Sequence, residues 1–396
     1  MIVCVLVPRF ALTVAAGDRE RLLGEPAALA PEPGGVQAVG EVTLAAEAFG
    51  VHAGMRLAEA LARCPRLALV PPDPAGVADG WERVLRRLEG IGAGVESTCP
   101  GRAFFDAAGL RRLHGGSPDA VLAAARRAVR GPARIGAAPS RFCALAAATR
   151  ARARRPEVVG GGGEGARAYL AARPVALLRG REETRELPDQ FARLGIRTLG
   201  ELAALPRAAV ADRFGAPGLR ALDLALGCDA PPAPRPPAER LEESLELPEA
   251  GSGAQLERAL GLLIDRLLAR RERDGRTLRA VVLAAALVEG GTWRVEVPFR
   301  EALADAQRMR LALVPRLALL PAPAERLRLA VARFGPPSSD QRALLSEARA
   351  ARAARLREAV RQARAAAGPD AALRVLAVDP ESRLPERRVV LAPFEA

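Results

Sequence analysis

The sequence predicts an α+β protein built of several modules, and three observations carry that prediction. Short apolar strands interleave with helices through the first 155 residues. A stretch at 229–238, DAPPAPRPPA, holds five prolines and reads as a stiff polyproline II-like linker, extended by ~3.1 Å per residue. Beyond it the apolar periodicities run in the order β-α-β-β-α-β, a compact split sheet with two helices on one face. The length of 396 residues agrees, at one domain per ~100–200 residues.

Residues 3–7 are a β-branched apolar run stopped by Pro8, hence a buried strand. Residues 42–64 carry two helical patches joined at Gly54, and from Val95 two strands flank a Pro100-Gly101 turn. A helix follows at 118–129, a strand at 133–138, and an alanine-rich helix after Pro139 and Ser140. Residues 187–226 read as short helices broken at Gly195 and Pro206. Past the linker come a strand at 241–247 and an amphipathic helix at 254–273. Strands at 277–288 and 292–299 flank Gly290-Gly291, followed by a helix at 302–319 and a strand at 326–334. There Arg294, Arg326 and Arg328 alternate with apolar residues, so they share the face opposite the core. Ser338, Ser339 or Asp340 caps a tail helix that runs to Gly368-Pro369, and strand-like pieces close the sequence.

Composition narrows the chemistry. At 49% hydrophobic residues the chain is not a disordered one. No apolar run approaches the ~18 residues of a membrane span, and no basic segment precedes the N-terminal apolar stretch, so a soluble cytoplasmic protein without membrane contacts is expected. Cys4, Cys64, Cys99, Cys143 and Cys228 never pair as C-x-x-C, which argues against a disulfide framework or zinc ribbon. His52 and His114 are too few for a histidine-rich metal site. There is no lysine, so all 59 cations are arginine and neither a Schiff base nor a Walker A site is available. The GGGGEG run at 160–165 then reads as a flexible connector.

Four stretches in order, AEAFGVHAGMRLAEALARCPRLALVPPD (46–73), VESTCPGRAFFDAAGL (95–110), RIGAAPSRFCALAAA (134–148) and LGIRTLGELAALP (194–206), resemble the Y-family translesion DNA polymerases. The resemblance implies a palm at 1–20 and 75–165, fingers at 21–74, a thumb at 166–228, the linker at 229–238, a little finger at 239–335 and a partner-binding tail at 336–396. It also implies where catalysis should reside. Two-metal phosphoryl transfer needs carboxylates that hold cations ~3.5–4 Å apart. In active members the first opens a D-x-D-x-F-F-like motif, and aligning on Phe10 places Val5 there. The adjacent Asp-Glu pair falls on Gly101 and Arg102. The nucleotide contacts fall on Leu44, Glu47 and Leu145, with Phe10 at the sugar gate; Glu47 in place of an arginine reverses a charge beside the phosphates. Glu47, Glu96 and Asp106 are the remaining acids, and none supplies an adjacent pair.

Polymerase shape without those acids resembles the ImuB-type, non-catalytic branch of bacterial mutagenesis cassettes. That implies no enzymatic activity, no metal and no cofactor. It implies primer–template DNA, the sliding clamp, a C-family error-prone polymerase and a RecA-like accessory protein as partners in the DNA damage response. DNA contacts are expected at the helix-hairpin-helix-like turn Leu194, Gly195 and Ile196, and at Arg294, Arg326 and Arg328. Gln341, Leu344 and Leu345 resemble the Q-x-x-L-(F/L) clamp-binding peptide. An ordinary turn, a solvated arginine face and the first apolar residues of a tail helix are the alternatives for these three features. For the whole chain the alternatives are a weakly active Y-family polymerase with an atypical metal site and a generic basic nucleic-acid-binding protein.

Overall fold

A computed structural model describes residues 1–17, 19, 21–32, 34–236, 241–288, 290–337, 356–357, 359–364 and 367–394. They form two compact units, Met1–Pro336 and Pro337–Ala396. The first unit begins β1 (Ile2–Leu6), α1 (Phe10–Ala16), α2 (Arg21–Gly24), β2 (Ala27–Leu29), α3 (Leu44–Glu47), α4 (Leu57–Arg63), β3 (Ala68–Val70) and α5 (Pro74–Glu89). It continues with β4 (Glu96–Cys99), β5 (Arg102–Asp106), α6 (Pro118–Val129), β6 (Arg134–Ala138), α7 (Arg141–Arg150), β7 (Glu157–Val158) and α8 (Gly162–Ala171). After two 3₁₀ turns, Val175–Gly180 and Glu182–Thr184, come α9 (Leu187–Arg193), α10 (Leu199–Ala203) and α11 (Arg207–Ala225).

The first sheet has the order β4-β5-β1-β6-β7, with β1 antiparallel to both neighbours. Its central strand is apolar throughout because both faces are covered. Val3 and Val5 pack with Trp81 and Leu88 of α5 and with Val121 and Leu122 of α6. Ile2 and Cys4 face the other way, into a core shared with α7 and the α8–α11 helices. Helix α5 starts where Asp73 accepts the Gly76 N–H at 2.8 Å and Pro74 occupies the first turn. The parallel pair β2–β3 supports a smaller core around Val42, Ala46 and Met55.

The second sheet is built from β8 (Glu242–Gly251), α12 (Ala254–Ala269), β9 (Arg276–Leu287), β10 (Thr292–Leu303), α13 (Ala306–Leu317) and β11 (Ala324–Pro337), in strand order β10-β9-β11-β8. Both helices cover one face, through Leu260, Leu263, Met309 and Leu313. This is the β-α-β-β-α-β order expected from the periodicity. The helix expected at 302–319 starts later, because β10 runs to Leu303 and Asp305 caps α13 by accepting the Arg308 N–H at 2.8 Å. The glycine run also differs from expectation: it opens α8, with Gly161 at φ 77° and a Cβ at Gly165 certain to collide with the Gly160 carbonyl. In the second unit, β12 (Leu373–Ala377) and β13 (Val389–Pro393) pair antiparallel, with α14 (Pro385–Arg388) leading into β13. Among the described residues no helix is long and apolar enough to cross a membrane.

Candidate functional site

At the carboxyl end of β1 a cleft of about 480 Å³ opens between the first sheet and the α3 region. Leu6, Pro8, Arg9, Glu41, Leu44, Glu47, His52 and Arg134 are among its lining residues. Thr43 fixes the α3 side: its buried hydroxyl donates to Glu25 O and accepts the N–H groups of Ala27 and Ala46. This uses the full capacity of one hydroxyl and sets the start of the helix that carries Leu44 and Glu47. Arg9 closes the cleft from the sheet side. Its Nε donates to Val42 O and its Nη2 to Glu47 Oε1, both at 2.6 Å, from a backbone held at φ 53°.

Leu6 of β1, Arg134 of β6 and Thr149 of α7 form the sheet side of the cleft, and β5 runs beside β1. The β1–β5 register sets Leu6 opposite Arg102. The Arg102 Nη1 donates to Gly180 O at 3.0 Å, while its buried Nε has no hydrogen-bond partner among the described residues. A Cβ at Gly180 would lie 3.2 Å from that guanidinium and 3.7 Å from Leu145, so the two side chains are neighbours there. On the same face, burial pushes the Cys4 thiol above its usual range, against the pull of Arg102 and Arg181. Gly101 closes the β4–β5 turn at φ 85° and accepts the Val7 N–H at 2.7 Å. A side chain there would meet Val7 O at 3.0 Å in a conformation that L residues rarely adopt. The cleft lining itself carries Arg9, Arg134, Glu41 and Glu47; Glu41 accepts the Leu12 N–H at 2.9 Å and Glu47 pairs with Arg9, while Arg102 stands beside the cleft. A divalent ion ~5 Å from a guanidinium is repelled by about 7 kcal/mol at an effective dielectric of ~20.

Two expectations are corrected. Val5 does not face the cleft: it is fully buried on the opposite side of the sheet, against Trp81. Phe10 is no gate over the cleft either, because its ring packs edge-on against Trp81 with centroids 5.1 Å apart. The cause is the two-residue repeat of a strand, in which an alignment one residue out reverses the face. Leu6 is the β1 residue at the cleft. Leu44 and Glu47 do line it, and Leu145 is buried beside Arg102. Arg9 was missed, although an arginine immediately before Phe10 was visible in the sequence.

Comparison with known proteins places this geometry. The profile of the impB/mucB/samB family matches residues 5–149. DNA polymerase IV of Ralstonia nicotianae is 31% identical over 67% of this chain and 74% of its own length. Protein ImuB of Caulobacter vibrioides is 30% identical over 88% of this chain and 72% of its own. The chain belongs to the impB/mucB/samB family, the Y-family of DNA polymerases. Among solved structures, a Y-family polymerase chimera, Dbh-Dpo4(243-245)-Dbh, aligns over 84% of this chain and 99% of its own, at 17% identity and a TM-score of 0.49.

Within this Y-family chain the remaining acids lie apart, each with its own donors. Glu47 pairs with Arg9. Asp106 accepts from the N-terminal amino group at 3.2 Å and from Ala108 N at 2.9 Å. Glu96 pairs with Arg141 and accepts the Ala233 N–H at 2.7 Å. Behind the floor, the fully buried Asp229 carboxylate is held by Arg141, Arg181 and Arg220. Burial lowers the Arg181 pKa, Asp229 counteracts that, and the neighbouring Arg141, Arg220 and Arg102 lower it further.

The turn expected to offer backbone donors to DNA has none free. Gly195, at φ 80°, and Ile196 complete a Schellman cap on α9, their N–H groups going to Ala192 O and Phe191 O. The Leu194 N–H also returns to Phe191 O. The next two, Arg197 and Thr198, donate to Glu201 Oε2 in the capping box of α10. Phosphate contacts through Leu194, Gly195 and Ile196 are therefore corrected: helix caps already use those groups.

The arginines of the second sheet also have partners. Arg328 pairs with Asp79 of α5, and Arg294 Nη1 lies 3.8 Å from the same carboxylate. Arg326, half-exposed, pairs with Glu246 at 2.7 Å. The proline-rich stretch is pinned alongside, where Arg235 donates to both Glu82 and Glu89. Helix α5 and its acids were missed, although Asp79, Glu82, Arg86 and Glu89 recur on one face opposite Trp81, Leu85 and Leu88. Gln341, Leu344 and Leu345 lie outside the described residues.

Proposed function

We propose that the chain is a non-polymerising Y-family member that holds primer–template DNA. It then serves, in the cytoplasm, as an adaptor for the sliding clamp, a C-family error-prone polymerase and a RecA-like accessory protein during translesion synthesis. Residues 1–20 and 75–165 act as palm, 21–74 as fingers, 166–228 as thumb, 239–335 as little finger and 336–396 as the partner-binding tail. Leu6, Gly101 and Arg102 stand at the positions of the three metal ligands. Leu44, Glu47 and Leu145 stand at former nucleotide contacts.

The observation that supports this reading is that Leu6, Arg102 and Leu145 come together beside the cleft, while the two carboxylates among its lining residues are already engaged, Glu41 by the Leu12 N–H and Glu47 by Arg9. Arg9 and Glu47 neutralise each other across the space a triphosphate would need. The likeness to Protein ImuB over 88% of the chain supports placing it with that branch. Arg294, Arg326 and Arg328 provide sequence-independent DNA contacts, and Gln341, Leu344 and Leu345 the clamp contact.

Primer extension with magnesium or manganese and all four deoxynucleotides tests the reading. No product is expected, while the same primer–template binds with an affinity that falls steeply as salt rises. Template-directed extension abolished by changing Glu96 or Asp106 contradicts it.

A further inference from the structure

Helix α5 is two-faced. Trp81, Val84, Leu85 and Leu88 enter the palm core, whereas Asp79, Glu82, Arg86 and Glu89 recur at helical spacing on the opposite face. That charged face meets the linker and the little finger. Arg235 of the linker donates through Nε to Glu89 and through Nη1 to Glu82, both at 2.6 Å. Arg86 reaches Glu242 of β8 at 3.0 Å. Asp79, almost fully buried, takes Arg328 and lies 3.8 Å from Arg294. A Cβ at Gly76 would come within 2.9 Å of Thr292, so palm helix and little-finger sheet are packed closely.

Two features make this seam an unfavourable one to keep shut. Around Asp79 stand Arg294, Arg328 and Arg83, and burial together with Arg328, Arg87 and Arg326 holds the Arg83 guanidinium below its usual value. Cations outnumber carboxylates there. Moreover, among the described residues Arg86 Nε and Nη2 and Glu242 Oε2 are buried without a hydrogen bond; Arg86 Nε comes no closer than 3.9 Å to Glu82 and Glu242 Oε2 is 4.0 Å from Arg328, so both are held only by long ion pairs. A seam with surplus positive charge and unsatisfied donors is one that an external polyanion opens readily.

We propose that Asp79 is an internal stand-in for a DNA phosphate: it latches the little finger to the palm through Arg294 and Arg328, and duplex DNA releases the latch by taking those guanidinia. The proposal rests on the DNA-binding reading above. Glu82 and Glu89 tether the linker throughout, so the finger swings from a fixed point. The protein is thereby closed without DNA and open with it.

The test uses the full chain with Cys99→Ser and Cys228→Ser, spin-labelled at Arg112→Cys on the palm and Ala318→Cys on the little finger, all four positions being exposed. Asp79→Asn is expected to broaden and lengthen the label distance without DNA, as primer–template does for the unmutated latch. The same change tightens duplex binding, on the order of tenfold if the closed state predominates by that factor. Arg294→Gln with Arg328→Gln removes the latch from its other side should Asp79→Asn fail to fold, and is read by the label distance alone, since it also removes the DNA-facing guanidinia. An unchanged distance and affinity in the variants, with normal DNA binding by the parent, overturns the latch alone. A longer distance without tighter binding overturns the competition with DNA. Absence of duplex binding in every form at low salt overturns the DNA-binding reading and the proposal with it.

Discussion

The cleft and the α5 seam employ the same residue in opposite ways. Beside the cleft, Arg102 anchors to the Gly180 carbonyl next to Leu6 and Leu145, and behind it Arg141, Arg181 and Arg220 converge on one buried carboxylate. In the seam, Arg294 and Arg328 share Asp79, Arg328 also lies 4.0 Å from Glu242, and two Arg86 nitrogens nearby have no hydrogen bond among the described residues. The first arrangement encloses its shared carboxylate, Asp229, completely, and opening it strands charges in a core. The second opens into water, which rehydrates every group it exposes. Arginine is thus structural where its partner lies within one core and available where its partner lies between two packed modules.

The contrast breaks or holds on stability measurements. Asp229→Ala leaves three guanidinia without their common partner and is expected to cost about 3–5 kcal/mol in urea unfolding. Asp79→Asn costs less, because the seam opens and its arginines reach solvent, which caps the penalty. Equal losses for the two variants erase the distinction. At the small end, Thr198→Ala removes the α10 capping box and is expected to cost about 1 kcal/mol. It leaves duplex affinity unchanged, since the turn it supports has no free N–H to offer; a large fall in affinity restores the hairpin as a DNA contact.

Some of this was legible in the residues and some was not. The second sheet was, because Leu327, Leu329 and Val331 alternate with polar neighbours and α12 repeats at 3.6. The face of β1 was not: IVCVL is apolar at every position, so its pattern does not say which side meets the cleft and could not correct the alignment on Phe10 that placed Val5 there. The engaged state of the 194–196 turn depends on caps whose partners include Glu201, and its motif carries no trace of that. Arg328 reads as a free surface cation until the fold brings Asp79, 249 residues away, against it. The α5 face, by contrast, was written at 79, 82, 86 and 89 and was overlooked.

The central claim is that the cleft floor does not hold divalent ions. Electron paramagnetic resonance of manganese, titrated into the protein with primer–template and a deoxynucleoside triphosphate, tests it directly. The account predicts no protein-dependent loss of the free-ion signal beyond that caused by the nucleotide and DNA themselves. Saturable, nucleotide-dependent manganese binding that disappears when Arg9 and Glu47 are both replaced by alanine would contradict it.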